Sequence, residues 1–489
     1  MSLNPLLLIP EYVLLGGALG VMLWDLWLPA DKKGVLTNVS MALCAVLFGL
    51  TFLPSLQVTD APLEAFGGTF VVDKMALLMK RAFAVCGFLY FLISREYIDG
   101  MTRGKGEFCT LSLLSLLGMF VVSSVGDFMS MFVALEIVTV AFFVLAAYKR
   151  TDGTSVEAGL KLLVVGSVSA AFLLYGIAFV YGAVGSVEFD AVRKAMAGPG
   201  FERPETLLLV GALMIFLGLG FKTSAVPLHV WVPDVYQGAP PPVTAFLSVG
   251  SKLAGFVLVL RCVDVFSGAL ASEMTYFFGL VAALTLFYGN LGAIPQSNIK
   301  RLMGYSSIGQ CGYILVGIAA AWEMGMSAAL FYMTAYVFTN LVVFAVIIYV
   351  ARATKSHELD DYSGLARKNP MLGAAMTIGL LSLAGVPPLM GFVGKFLLLG
   401  SAFSNPELHW LVWVGLINVV IAMYYYLCVI KRMWIHDAKN PAVPVAPMGV
   451  KVALAVSVML LLAGGFAPQI FESITAPAAA ELGLPSQPR

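Results

Sequence analysis

Apolar runs near twenty residues long recur fourteen times along this chain, parted by short polar turns. A helix of about twenty apolar residues is what a bilayer's hydrocarbon layer requires. The expected fold is therefore an all-α polytopic membrane protein with about fourteen transmembrane helices. The first run, in MSLNPLLLIPEYVLL, has neither the basic start nor the small-residue cleavage site of a signal peptide, so it reads as the first span.

Basic residues set the expected topology. With the N-terminus outside, seventeen Lys and Arg residues fall in cytoplasmic turns, among them Lys149, Arg150, Lys300 and Arg301, and six fall outside: Lys74, Arg193, Lys194, Arg203, Arg261 and Arg489. That bias places both termini on the outer side. Lys80 and Arg81 lie near the outer start of the third span and are expected to snorkel to the headgroups. Lys161, Lys222, Lys252 and Lys395 lie within spans.

Two spans are long and broken by proline: the seventh (205–234; Pro227, Pro233) and the twelfth (370–401; Pro387, Pro388). Each is the fourth member of a run of five. The chain is thus expected to divide into a three-helix segment (1–106), a five-helix unit (107–262), a second five-helix unit (274–432) and a C-terminal helix with its tail (447–489). Five is odd, so the second unit must be inverted relative to the first, and paired interrupted helices point to a transport site near the midplane.

Only 12% of the 489 residues are charged, against 60% hydrophobic, so each charge inside a span carries weight. A net charge of +1 argues against nucleic acid and leaves the lipid bilayer as a main partner. The six cysteines stand singly in apolar runs, and the four histidines are far apart, so no metal site, iron–sulfur cluster or haem is expected in this chain. No Gly-rich nucleotide fingerprint is present either.

A lysine at the centre of a span costs roughly 2.5–3.5 kcal/mol on insertion scales. Lys222 and Lys252 place two within the stretch GFKTSAVPLHVWVPDVYQGAPPPVTAFLSVGSK. Prolines beside Lys222 free backbone groups, which is tolerated at membrane depth only against protein or a hydrated cavity. Glu136, mid-span in MFVALEIVTVAFF, needs a partner, and Lys222 is the natural one. Desolvation loosens a lysine's hold on its proton and a nearby carboxylate restores it, so moving that carboxylate moves a proton without a cofactor. A static pair that only ties helices together remains the competing reading. Lys161 follows Glu157 by four residues and is either a functional charge within the span or an ordinary surface pair. Thr244, Ser248 and Ser251 surround Lys252 and can hold water. Lys395, in GVPPLMGFVGKF, has no acidic neighbour in sequence, which suits proton release. Tyr424, Tyr425 and Tyr426 either extend a polar route or pack, and His229 either relays protons or caps.

The stretch from Gly220 to Lys252, NIKRLMGYSSIGQCGY (Asn298 to Tyr313) and GVPPLMGFVGKF closely resemble the antiporter-like membrane subunits of respiratory complex I, the proton-translocating NADH:quinone oxidoreductase, over nearly the whole chain. The large subunits of multi-subunit cation/proton antiporters share this plan and supply the alternative reading. Chain length and Lys395 are most similar to the member adjoining the smaller membrane subunits on the quinone side. The resemblance implies that Glu136 and Lys222 are the charge-pair carboxylate and pumping lysine, Lys252 an axis lysine, Lys395 the terminal lysine, and Lys161 a further axis residue. It implies NADH, FMN, iron–sulfur clusters and quinone in other subunits, membrane and peripheral partners, a bacterial inner membrane, and outward proton pumping by this chain without redox catalysis of its own. Relatives often carry histidine where this chain has Gln310. Glutamine cannot titrate, which puts a proton relay at that position in doubt.

Overall fold

The computed structural model describes residues 4–58, 61–196, 206–268, 270–320, 322–439 and 445–482. Two of the six outer-side basic residues, Arg203 and Arg489, and the first residue of the seventh expected span, Glu205, lie outside these.

Helix α1 (Ile9–Trp27), α2 (Gly34–Leu50) and α3 (Lys74–Asp99) open the chain. A short antiparallel hairpin, β1 (Leu63–Ala65) and β2 (Phe70–Val72), precedes α3. Then come α4 (Lys105–Ser123), α5 (Phe128–Ala146), α6 (Gly153–Val184) and the short α7 (Phe189–Met196). The seventh span is split into α8 (Thr206–Thr223) and α9 (Trp231–Gly238). The eighth starts as α10 (Pro241–Phe246), widens into a π turn at Leu247–Ser251 and continues as α11 (Lys252–Phe266). Next are α12 (Ala271–Ala293), α13 (Ile299–Ala319) and α14 (Glu323–Thr354). After the short α15 (Leu365–Lys368), the twelfth span is again split, into α16 (Pro370–Ala384) and α17 (Met390–Phe403). Helices α18 (His409–Trp434), α19 (Met448–Phe466) and α20 (Gln469–Ala480) complete the chain.

Among the described residues twelve helices are long and apolar enough to cross a membrane, and the shorter apolar helices Gly34–Leu50, Pro370–Ala384 and Met390–Phe403 occupy the second and twelfth expected spans. The all-α polytopic fold is thus as expected. Side-chain caps set several helix starts: Asp73, Asp127, Asp152 and Asn298 each accept hydrogen bonds from first-turn amides of α3, α5, α6 and α13. Helices α10, α11, α13 and α14 are apolar on nearly all sides and buried on nearly all sides, as such helices must be. Helices α1, α6, α18 and α19 turn large apolar side chains outward, for example Trp27, Val164, Val420 and Met459.

Three cations lie deeper than their sequence positions imply. Lys80 does not snorkel: it is 1% exposed, ion-paired to the buried Glu11 of α1 at 2.7 Å, with Phe70 under its ammonium group at 4.8 Å. Lys300, counted among the cytoplasmic-turn cations, is 2% exposed and donates to the Ala239 carbonyl at 2.9 Å. Arg261 forks onto Asp73 (2.5 and 3.0 Å) and the Ser123 carbonyl (2.7 Å), tying α11 to the starts of α3 and the end of α4. Hydropathy reads position along a span and not which neighbour covers it, so pairing across helices escapes it.

Candidate functional site

Both breaks follow from missing amide hydrogens. Residue i+4 from Leu383 is Pro387, which has no N–H, so the Leu383 carbonyl loses its helical donor. Two side chains take it instead: Lys395 Nζ at 2.6 Å and Gln310 Nε2 at 3.0 Å. The chain turns at Gly385, whose φ of +83° suits glycine. A methyl group there would also meet Lys395 Cδ at 3.0 Å. In the seventh span Pro227 plays the corresponding part for Thr223. Here Ser224 takes the left-handed turn (φ 62°), Trp231 donates its indole N–H to the Phe221 carbonyl at 3.1 Å, and Thr285 of α12 accepts from the Val226 amide at 3.1 Å.

Lys222 sits at the last turn of α8, 4% exposed, beside the Phe221 ring. Among the described residues no protein group accepts a hydrogen bond from its Nζ. Helix α11 approaches so closely that a methyl at Gly255 would meet Lys222 Cβ at 2.7 Å. Glu136, on α5, is half-buried and acts electrostatically on Lys222 without a direct ion pair between them. The pair expected from sequence is therefore coupled through space and not clasped.

Lys252 opens α11 directly after the π turn, a local widening that often marks functional positions. Its Nζ donates to Ser307 Oγ, lies 3.8 Å from Cys311 Sγ and faces the Tyr236 ring at 5.4 Å. Ser307 in turn shares hydrogen bonds with Tyr336 (2.6 Å) and Tyr236 (3.2 Å). Thr244 and Ser248 spend their hydroxyls on nearby carbonyls instead of facing Lys252.

Helix α13 reaches the surroundings of both Lys252 and Lys395. Ser307 and Cys311 serve Lys252, while Ser306, Gln310 and Tyr313 serve the neighbourhood of Lys395. Gln310 gives one amide hydrogen to Leu383 O and another to Tyr426 OH (3.0 Å), and its Oε1 accepts from Tyr332 OH. Tyr426 also bonds Ser306. Tyr313 presents its ring to Lys395 Nζ at 4.2 Å. Non-titrating Gln310 thus stands where hydrogen bonds, not proton uptake, are asked of it. Of the three consecutive tyrosines, Tyr426 belongs to this network, Tyr425 donates to Asn290 Oδ1 at 3.1 Å, and Tyr424 is 60% exposed.

Lys161 stands apart from that network. It pairs with Glu157 (2.7 Å) as the four-residue spacing suggests, and also with Asp234 of α9 (2.6 Å), which Arg301 holds from the other side at 2.6 Å. His229 is buried in the first break with neither ring nitrogen hydrogen-bonded, edge-on to Tyr288 at 4.0 Å. Among the described residues no group of His, Cys, Asp and Glu forms a metal-binding cluster.

Sequence reasoning passed over Tyr236, Ser307, Tyr332, Tyr336 and the Leu383 carbonyl. The last was recoverable, since a proline always strips the carbonyl four residues before it. The tyrosines gave no signal, because a buried tyrosine in a membrane helix looks like packing until its hydroxyl partner is known.

A family model described as NADH:quinone oxidoreductase/Mrp antiporter, TM, matches residues 125–422. The chain is 38% identical over 442 residues to NADH-quinone oxidoreductase subunit N of Desulforamulus reducens, covering 90% of this chain and 91% of that protein. It is 40% identical over 415 residues to the protein of the same name from Desulfitobacterium hafniense, covering 80% and 83%. Among solved structures, a chain of respiratory complex I from Thermus thermophilus with bound Aureothin superposes with a TM-score of 0.81 at 28% identity, covering 96% of this chain and all of that one. A chain of the Mrp complex from Dietzia sp. DQ12-45-1b gives 0.83 at 19% identity over 98% and 97%, a likeness of fold alone.

Proposed function

The chain belongs to the NADH:quinone oxidoreductase/Mrp antiporter family of membrane proteins, and we propose that it serves as subunit N of a proton-translocating NADH:quinone oxidoreductase. In this reading it sits in the bacterial inner membrane with both termini outside and with its two five-helix units inverted. NADH, FMN, iron–sulfur clusters and quinone belong to partner subunits, and this chain turns their reaction into outward proton movement.

The observation that carries the reading is that two lysines removed from water are each hydrogen-bonded to a neutral oxygen, and that one helix, α13, supplies a residue to both surroundings. Lys252 Nζ bonds Ser307, and Lys395 Nζ bonds the Leu383 carbonyl that Gln310 also holds. Each amine is held by a hydroxyl or a carbonyl and not by a carboxylate, so no ion pair fixes a proton on it. Glu136 is the lever on Lys222. Half-exposed on α5 beside the outward-facing Val133 and Val140, it lies where a neighbouring subunit can act on it. Drawn toward Lys222 it holds the proton there; drawn away it releases that proton toward Lys252. Lys395 is the final donor. Lys161, with two carboxylates already on it, keeps its charge and positions α9 below the break through Asp234.

The test uses the intact complex in sealed vesicles carrying Lys222→Ala or Glu136→Gln, with assembly checked on a native gel. NADH:quinone turnover and proton pumping are both expected to fall at least about tenfold, the scale of a lost proton-transfer group. Normal turnover and pumping in assembled complex would make the pair structural and refute the reading.

A further inference from the structure

The route above needs a way in from the cytoplasmic side, and the buried Lys300 supplies one. Lys300 lies in the first turn of α13 and is buried. Residues 300, 304, 307 and 311 repeat at helical spacing and share one face of that helix. Lys300 therefore lies on the same stripe as Ser307 and Cys311, the two partners of Lys252, about 10 Å from Ser307 along the axis at 1.5 Å per residue. Between them Gly304 lets α9 come close: a methyl there would meet Pro233 Cα at 3.2 Å and Tyr236 Cβ at 3.4 Å. That approach lays Tyr236 along the stripe, with its hydroxyl on Ser307 and its ring under Lys252.

Above Lys300 the chain after α14 folds across the start of α13. The Ile299 amide donates to the His357 carbonyl at 2.9 Å, and the Leu359 amide to the Ser297 carbonyl at 2.8 Å. His357 is half-buried, and its Nδ1 is buried with no hydrogen-bond partner. The charged groups acting on His357 from neighbouring elements are Lys300, Lys149, Asp361 and Asp152, and those acting on Lys300 are Lys149 and Asp152.

We propose that His357 and Lys300 form the cytoplasmic entry for the protons that reach Lys252, a loading pair that deepens the proton-translocation reading and rests on it. A proton from bulk water adds to a ring nitrogen of His357 and passes to the neutral amine of Lys300. The Lys300 ammonium then gives up one proton along the Gly304 face, with water bridging to the Tyr236 and Ser307 hydroxyls. The Ser307 hydroxyl takes that proton on oxygen and gives its own hydrogen to the neutral Lys252 amine. Burial, and then the charges of Lys300 and Lys149, push the His357 imidazole down to about 3 from 6.5. When Lys300 passes its proton inward, one of those opposing charges vanishes and His357 can load again, so refilling follows discharge.

The experiment places Lys300→Gln, Lys300→Arg and His357→Ala in the intact complex, beside Lys252→Met as the benchmark for the reading itself. Glutamine and arginine both keep a donor for the Ala239 carbonyl, so a merely structural lysine is satisfied by either. Proton pumping in sealed vesicles is expected to fall at least about tenfold in both Lys300 variants with assembly retained. His357→Ala is expected to slow pumping, with recovery when imidazole is added to the cytoplasmic face, a rescue that a structural role does not permit. Wild-type pumping by Lys300→Gln or Lys300→Arg beside an impaired Lys252→Met overturns the entry and leaves the reading intact. Wild-type pumping by Lys252→Met as well sinks both. A His357→Ala defect that imidazole does not relieve removes His357 from the route.

Discussion

A single backbone carbonyl, that of Leu383, shows how much one residue type dictates here. Pro387 leaves it without a donor, and Lys395 and Gln310 fill the vacancy. Gly385 is the residue on which this depends, since its left-handed φ and its contact with Lys395 Cδ both exclude a side chain. Gly385→Ala is expected to cost about 1–2 kcal/mol in backbone conformation and to displace Lys395. The result would be lowered thermal stability of the purified complex and severalfold slower pumping, read by a melting assay and vesicle acidification. His357 carries a pH signature. Its imidazole titrates near 3 in the fold against 6.5 ordinarily, so between those values the unfolded chain binds the extra proton. Stability is then fully present above pH 6.5 and falls below it, by up to about 1.4 kcal/mol per pH unit. Melting curves at pH 7.5 and 5 should show a larger loss in wild type than in His357→Asn. The charged site residues were legible in sequence because a charge in an apolar run is conspicuous. Their hydroxyl partners were not, because Tyr and Ser in a membrane helix announce nothing until the facing helix is known.

At the scale of elements, the two broken helices were legible from proline alone, and their lysines from charge. What covers them was not. Helix α19, which sequence sets apart as a C-terminal addition, packs directly on the second break: a methyl at Gly465 would meet the Pro388 carbonyl at 1.7 Å, and one at Gly464 would meet Met390 at 2.6 Å. Gly465→Ala is therefore expected to force α19 off the break and to reduce assembled complex severalfold on a native gel, although residue 465 touches no lysine. Gly255 does the same for the first break, where α11 lies against Lys222. Such approaches depend on small residues letting helices close up, and a glycine in an apolar run does not reveal which neighbour it admits.

Across the whole molecule, the three opening helices are bound to α4 and α11 by charge as well as packing. Asp73 caps α3 and holds Arg261 of α11, and removing one partner of such a buried pair typically costs about 3–5 kcal/mol. Asp73→Ala should lower the melting temperature of the complex markedly, while an exposed pair such as Arg367 with Asp437 should leave it unchanged on alanine substitution. The same connectedness gives the chain an internal gauge. A carbonyl that accepts from both an ammonium group and an amide vibrates at a lower frequency than its unbonded counterpart, and it stiffens when one donor gives up its proton and swings away. On the proton-transfer reading proposed above, isotope-edited infrared difference spectra centred on Leu383 would thus report, as a spectral line and without any added probe, when Lys395 empties and refills during turnover.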